Sequence, residues 1–263
     1  MTRSAAALLL ALAALTFFLL PEAREEEGAV ICVLEAGRTD SGVELVDYLP
    51  EQEATAEENQ HTALVCGILR ENAPQAKIYL LRCVSDGIGP SGDDTVAQAI
   101  HDAVEKYHAD VINISWTLNQ PSQTLHQAIR DAHDRGAILV AAAGNLSPQT
   151  PLGSTVYPAA WEEVIGVGGV DLDETGTPVS SLWYLSGEAV FLCADGRAGD
   201  QKGSSFAAPR VSAWIANRLS GPEHPTDTQI RALLKAAVTD LGAEGQDPIY
   251  GWGYLDTRTA PQS

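Results

Sequence analysis

A hydroxyl, an imidazole, a carboxamide and a carboxylate stand where elements of this chain begin or end. In GSSFAAPRVSAWIANRL, residues 203 to 219, a glycine and two serines precede an apolar helical run. Pro209 is expected in the first turn of that helix, where its missing N–H costs little. Ser205 then lies at or near the helix N-terminus, where backbone N–H groups stabilise negative charge developing near the hydroxyl. Taken alone, Ser204 or Ser205 is more simply read as an N-cap. In NQHTALVCGI, 59 to 68, His61 is expected to open a helix of small and apolar residues. VAAAGN, 140 to 145, reads as a buried strand ending in Gly144 and Asn145, whose side chain can donate a hydrogen bond into a cleft. ICVLEAG, 31 to 37, brings Glu35 to the end of another apolar run. A hydroxyl paired with a base, an orienting carboxylate and an amide donor form a set suited to acyl transfer through a covalent intermediate.

Short apolar strands that alternate with amphipathic helices would have to position these groups. Strands are expected at 29–34, 77–83, 110–115, 137–143 and 164–170, and helices at 94–107, 122–135, 205–219 and 226–237. The strands are almost continuously apolar, as in sheets covered on both faces. That pattern specifies an α/β fold with a mainly parallel central sheet. Ligands in such sheets bind outside the carboxyl ends of the strands. Glu35, Ser115 and Asn145 all fall at such ends, which makes a site before any motif is named.

Together the blocks resemble the subtilisin-like serine peptidases. HTALVCGIL is similar to that family's HGTHVAGTV block, GSSFAAPRV to its GTSMAAPHV block, and YGWGYLD at 250–256 to its closing turn. VINISW and VAAAGN resemble the strands leading to the substrate segment and to the oxyanion-hole Asn; STVYPAAWEEVIGVGGVD resembles the stretch that follows. The resemblance runs from about residue 28 to 259, with the blocks in family order. It implies a subtilisin-like three-layer fold, Ser205 as nucleophile, and His61 as general base and then acid. Asn145 and the backbone N–H of Ser205 would hold the oxyanion. Trp116, Thr117 and Leu118 would form the peptide-binding edge. Gly144 would line the primary specificity pocket, with Val156 at its base, favouring small side chains.

The family's first strand ends in Asp-Ser/Thr-Gly, and the Asp orients the His. Here the letters are Glu35-Ala36-Gly37, so Glu35 is the expected orienting acid, its carboxylate one methylene further from the backbone. Asp40-Ser41-Gly42 carries the family's letters but follows no buried strand. The glycine after the family's His is Thr62 here, and the two glycines of its substrate segment are Thr117 and Leu118. Between Gly67 and Lys77 there is too little chain for the family's calcium-binding loop, so no metal or other cofactor is assigned. The expected activity is that of a serine endopeptidase acting on peptides or proteins. The alternative is a subtilisin-like domain that grips peptides or a partner protein without turning over. No pro-domain stands between the apolar N-terminus and the first strand, so an inhibitor or folding partner acting in trans is a further expectation.

The 263 residues carry a formal net charge of −19, which repels phosphate backbones and argues against nucleic acid as a partner. Arg3 followed by an apolar run over 5–20 reads as a signal peptide or an uncleaved membrane tether. Residues 1–27 are therefore expected to form that segment plus an acidic spacer, and 28–263 the peptidase domain of a secreted or periplasmic protein. The acidic stretches at 22–27 and 44–58 read as solvated and mobile. Cys32, Cys66, Cys83 and Cys193 show no metal-ligand spacing and read as small buried hydrophobes. His101, His108, His126, His133 and His224 are expected at the surface.

Overall fold

The structure, a computed structural model, describes residues 28–85, 92–179, 181–221 and 223–258. β1 (Val30–Glu35) and β2 (Glu44–Asp47) precede α1 (Ala56–Asn72). β3 (Lys77–Arg82), α2 (Asp93–Glu105), β4 (Val111–Ile114), α3 (Gln123–Asp134) and β5 (Ile138–Ala142) alternate through the middle of the chain. Then come β6 (Val164–Leu172), β7 (Pro178–Val179), β8 (Leu192–Asp195), β9 (Arg197–Ala198) and β10 (Gln201–Lys202). The last helices are α4 (Ser204–Leu219) and α5 (Asp227–Ala237).

The main sheet runs β2-β3-β1-β4-β5-β6, and β6 pairs further with β8 in parallel and with β7 antiparallel. Every other neighbouring pair in it is parallel. After β1 the order runs outward on one side through β3 and β2, and on the other through β4. The boundary between β1 and β4 is therefore the topological switch point, where a crevice opens beyond the strand ends. Glu35 ends β1 and Ser115 follows β4, so both stand at that crevice.

The core lies on both faces of the sheet. On one face Ile31, Val33, Val111 and Val140 pack with Val65 and Leu69 of α1, Val211 and Ile215 of α4, and Ile230 and Leu234 of α5. On the other, Cys32, Leu34, Ile112 and Leu139 pack with Val96 and Ile100 of α2 and Leu125 and Ile129 of α3. Successive strand side chains alternate between faces. Glu35 shares the parity of Ile31 and Val33, and Asn113 and Ser115 that of Val111. All three polar side chains therefore point to the face covered by α1 and α4.

Three expectations change. The acidic stretch 44–58 is not a free excursion: β2 pairs with β3, and buried Arg82 clamps the segment that follows. Its guanidinium donates to Asp47 Oδ1 at 3.0 Å, Gln52 O at 2.9 Å, Ala36 O at 2.8 Å and Leu49 O. The helix expected to open at His61 starts at Ala56, because Thr55 and Glu58 form a capping box there. Of the further histidines, His108 and His224 are exposed, but His101 is half-buried. His126 lies stacked on Trp161 at 4.4 Å and paired with Glu163, and His133 lies 3.7 Å from Asp227. The four cysteines are buried free thiols. The tether over residues 5–20 lies outside the described residues; among those described, no helix is long and apolar enough to cross a membrane.

Candidate active site

β1 carries Glu35 out of the sheet beneath α1, and α1 presents His61 from above. His61 Nδ1 lies 3.3 Å from Glu35 Oε2, just beyond the usual upper reach of about 3.2 Å for such pairs, which commonly shorten once substrate is bound. Glu35 is only 3% exposed, and its Oε1 is buried without a hydrogen-bond partner. Burial pulls the pKa of His61 down, but the charge of Glu35 and its hydrogen bond outweigh this, so the net shift is upward. The ring packs against Phe206 with centroids 5.2 Å apart. Burial, and after it the charge of Glu35, pushes the Cys66 thiol up to about 12 and the Cys83 thiol up as well, so neither is a thiolate. Asp40 lies exposed in the loop after β1, its carbonyl closing a turn to Gly42 N.

Ser205 is the second residue of α4, whose N-cap is Gly203 and which has no side-chain cap. Neither serine therefore caps the helix. Pro209 sits not in the first turn but at the sixth helical position. It deprives the carbonyl of Ser205 of its usual i+4 donor. Ser115 Oγ supplies the bond instead, donating to Ser205 O at 2.9 Å. Asn113 Nδ2 donates to Ser115 Oγ, and Ser212 Oγ donates to Asn113 Oδ1, each at 2.9 Å. This buried chain joins β4 to α4 at two points. It also explains a polar residue inside an otherwise apolar strand.

Ser204 ties the same helix end to β5. Its Oγ accepts from Gly144 N at 3.0 Å, and its N–H donates to Asn145 Oδ1 at 2.9 Å. That second bond fixes the carboxamide of Asn145 with Nδ2 left for the cleft. The packing at Gly203 measures the result. A methyl carbon there would lie 2.9 Å from Ser205 Oγ and 3.3 Å from Asn145 Nδ2. The nucleophile candidate and the donor candidate therefore both lie close beside Gly203, where a side chain would crowd them.

Beside them lies a cleft of about 290 Å³ lined by His61, Ser205, Asn145, Gly144, Trp116 and Thr117. Glu35, Leu118 and Val156 do not line it: Glu35 contacts His61 and Val156 packs beside Gly144. Trp116 Nε1 donates to Leu34 O at 3.1 Å, fixing the start of the 116–118 segment. Leu118 exchanges both backbone bonds with Tyr157, at 2.7 and 2.9 Å. It is therefore turned away from any incoming chain. Gly144, at φ +95°, has Val156 and Leu185 side chains within 3.3 Å of where its Cβ would be. The space under Gly144 thus has an apolar floor.

The sequence reading offered Ser204 only as an N-cap, gave Asn113 and Ser212 no role in the site, and noted Thr62 only as a departure. The signal for Asn113 was its parity with Val111 and Ser115. Nothing local marks Ser212, which lies on an otherwise apolar helix face and meets its partner 99 residues away.

The subtilase family model matches residues 43–253, a span that includes His61, Asn145 and Ser205 and begins after Glu35. The chain belongs to the subtilase family. It is 27% identical over 229 residues to the minor extracellular protease Epr of Bacillus subtilis, covering 76% of this chain and 32% of that protein. It is 27% identical to subtilisin Savinase of Lederbergia lenta over 234 residues, covering 81% of each. Among solved structures, fervidolysin from Fervidobacterium pennivorans superposes with a TM-score of 0.74 at 23% identity, over 89% of this chain and 42% of that one. The prenylagaramide maturation protease PagA does so with a TM-score of 0.66 at 21% identity, over 91% and 96%. The fold is the subtilisin-like three-layer α/β fold with a mostly parallel central sheet. The chain spans about a third of the length of Epr and under half that of fervidolysin.

Proposed function

We propose that this chain is a serine endopeptidase working through an acyl-enzyme on Ser205. The observation that carries this reading is that Ser205 Oγ and Asn145 Nδ2 lie side by side at Gly203, in a cleft that also contains His61. Ser205 Oγ attacks the scissile carbonyl while His61 Nε2 takes its proton, since Nδ1 faces Glu35. Glu35 balances the imidazolium and holds the ring. The oxyanion accepts from Asn145 Nδ2 and from the Ser205 N–H at the positive end of α4. His61 then protonates the leaving amine, and water repeats the sequence on the acyl-enzyme.

An extended peptide would pair with the backbone of Thr117, because Leu118 is already bonded to Tyr157. The residue before the scissile bond would enter between Thr117 and Gly144. Val156 and Leu185 close that pocket, so small side chains are preferred. Residues 28–263 act as the peptidase domain, and 1–27 as an export signal or membrane tether with an acidic spacer. The extracellular location in the name of Epr supports export. A partner acting in trans would regulate or help fold the domain.

The test is labelling of the purified chain with a fluorophosphonate, beside Ser205→Ala, Glu35→Ala and Asp40→Ala. Labelling that vanishes in Ser205→Ala and falls in Glu35→Ala, but holds in Asp40→Ala, is expected. A folded wild-type chain that does not label would leave a subtilisin-like domain that binds peptides without turning them over.

A further inference from the structure

We propose that Thr62 is a positioning residue for the Glu35 carboxylate, the partner that lets a glutamate serve where the family has an aspartate. The inference rests on the peptidase reading above. Two departures from the family's blocks, Glu35 on β1 and Thr62 on α1, lie 27 residues apart in the chain and touch in the fold. Thr62 Oγ1 donates to Glu35 Oε2 at 3.4 Å. The same oxygen accepts from the Gly37 N–H at 3.0 Å. Thr62 has no exposed surface at all.

A hydroxyl has one proton and two lone pairs. The Gly37 N–H occupies one lone pair from the chain side, which leaves the proton to the carboxylate. The hydroxyl is thus fixed from behind by backbone and aimed at Oε2. A glutamate needs such a fixture more than an aspartate does, because one more rotatable bond separates its carboxylate from the strand. Oε1 offers no help, since it has no hydrogen-bond partner. Among the described residues, His61 and Thr62 are the groups hydrogen-bonded to Oε2. His61 changes charge during the reaction, so the contact that stays constant through the cycle is that of Thr62. The His61 contact, 3.3 Å at rest, is of the kind that tightens once substrate is bound. A glycine at position 62 could supply neither the donor nor the acceptor for Gly37.

The test compares wild type, Thr62→Val, Thr62→Ala and Thr62→Ser, each alone and combined with Glu35→Ala, in the full chain. Fluorophosphonate labelling rates, kcat and KM on a small peptide ester, and thermal unfolding are measured for each. Thr62→Val is expected to lower kcat and the labelling rate by about 10- to 100-fold, the scale of a small misplacement at a catalytic pair, with KM little changed. Thr62→Ser restores most of the loss. In the Glu35→Ala background, removing the hydroxyl costs no further activity, because the group it positions is gone. Thr62→Ala carries the same expectation if valine prevents folding. Equal losses in both backgrounds, failure of Thr62→Ser to restore, or a Thr62→Val chain that labels at the wild-type rate would each overturn the proposal while leaving the peptidase reading intact. A folded wild-type chain that does not label overturns both.

Discussion

Ser115 Oγ donates to the carbonyl of Ser205 at 2.9 Å, and this is the carbonyl that Pro209 leaves without its helical donor. A proline in the second turn of a helix ordinarily costs about 3 kcal/mol, through the lost bond and a clash with the carbonyl four residues back. Here the freed carbonyl belongs to the proposed nucleophile, and its replacement bond comes from the end of β4. The acceptor that Pro209 frees thus fastens the helix start to the sheet. In Ser115→Ala, Ser205 O and Asn113 Nδ2 both lose a partner. Stability should fall by about 1–3 kcal/mol for the buried unsatisfied groups, measured by urea unfolding, and the labelling rate of Ser205 should fall with it. A variant of wild-type stability and wild-type labelling would show that the bond holds nothing.

Gly203→Ala tests the convergence of Ser205 and Asn145. The backbone at Gly203 is extended, with φ 173°, so alanine is tolerated conformationally. Its methyl, however, would stand 2.9 Å from Ser205 Oγ and 3.3 Å from Asn145 Nδ2. Fluorophosphonate labelling should be lost while the unfolding temperature stays near wild type. Asn145→Asp keeps the acceptor for Ser204 N–H and removes the donor. It should lower kcat by about 100- to 1000-fold, the cost known from removing such a donor in a subtilisin.

The pH dependence follows from His61. Its pKa lies above the ordinary 6.5, because the charge and hydrogen bond of Glu35 outweigh the opposing burial. The base must be neutral to act, so the acid limb of kcat/KM should fall above pH 6.5. In Glu35→Gln burial acts without the carboxylate's charge, and the limb should move down. The same shift stabilises the fold. The contribution is fully present below 6.5, where His61 is protonated in both folded and unfolded chains, and is lost as pH rises through the elevated folded value. Labelling rates and unfolding midpoints measured across pH 5–9 check both signs.

Arg82 is 2% exposed and bonds Ala36 O, Leu49 O, Gln52 O and Asp47. Arg82→Met keeps much of the volume and removes all four. It should destabilise the chain by about 3–5 kcal/mol, the usual cost of stranding one partner of a buried ion pair. Because Ala36 follows Glu35, labelling should also slow in the fraction that remains folded. Chemical denaturation and labelling of the folded fraction separate the two effects.

Much of this was legible in the chain itself. Continuous apolar runs such as VICVLE and ILVAA specify strands covered on both faces, and hence the α/β class. The twofold period of a strand already ties Glu35 to the face of Ile31 and Val33, and Ser115 to that of Val111. Residue types and block order pointed to Ser205, His61 and Asn145. Other features depended on sheet register and helix placement, which no local stretch encodes. Asp40 carries the family-like letters but lies exposed in the loop after β1, whereas the carboxylate of Glu35 lies 3.3 Å from His61 Nδ1. The acidic stretch 44–58 was ordered by Arg82, a residue 30 to 35 positions away from the atoms it holds. The bonds from Ser115 to Ser205 and from Ser212 to Asn113 join residues 90 and 99 apart. Sequence determined which groups exist and which way each strand turns them. Only the packing of α1 and α4 on one face of the sheet decided which of them meet, because hydrogen bonds act over about 3 Å and only the folded chain brings such distant residues that close.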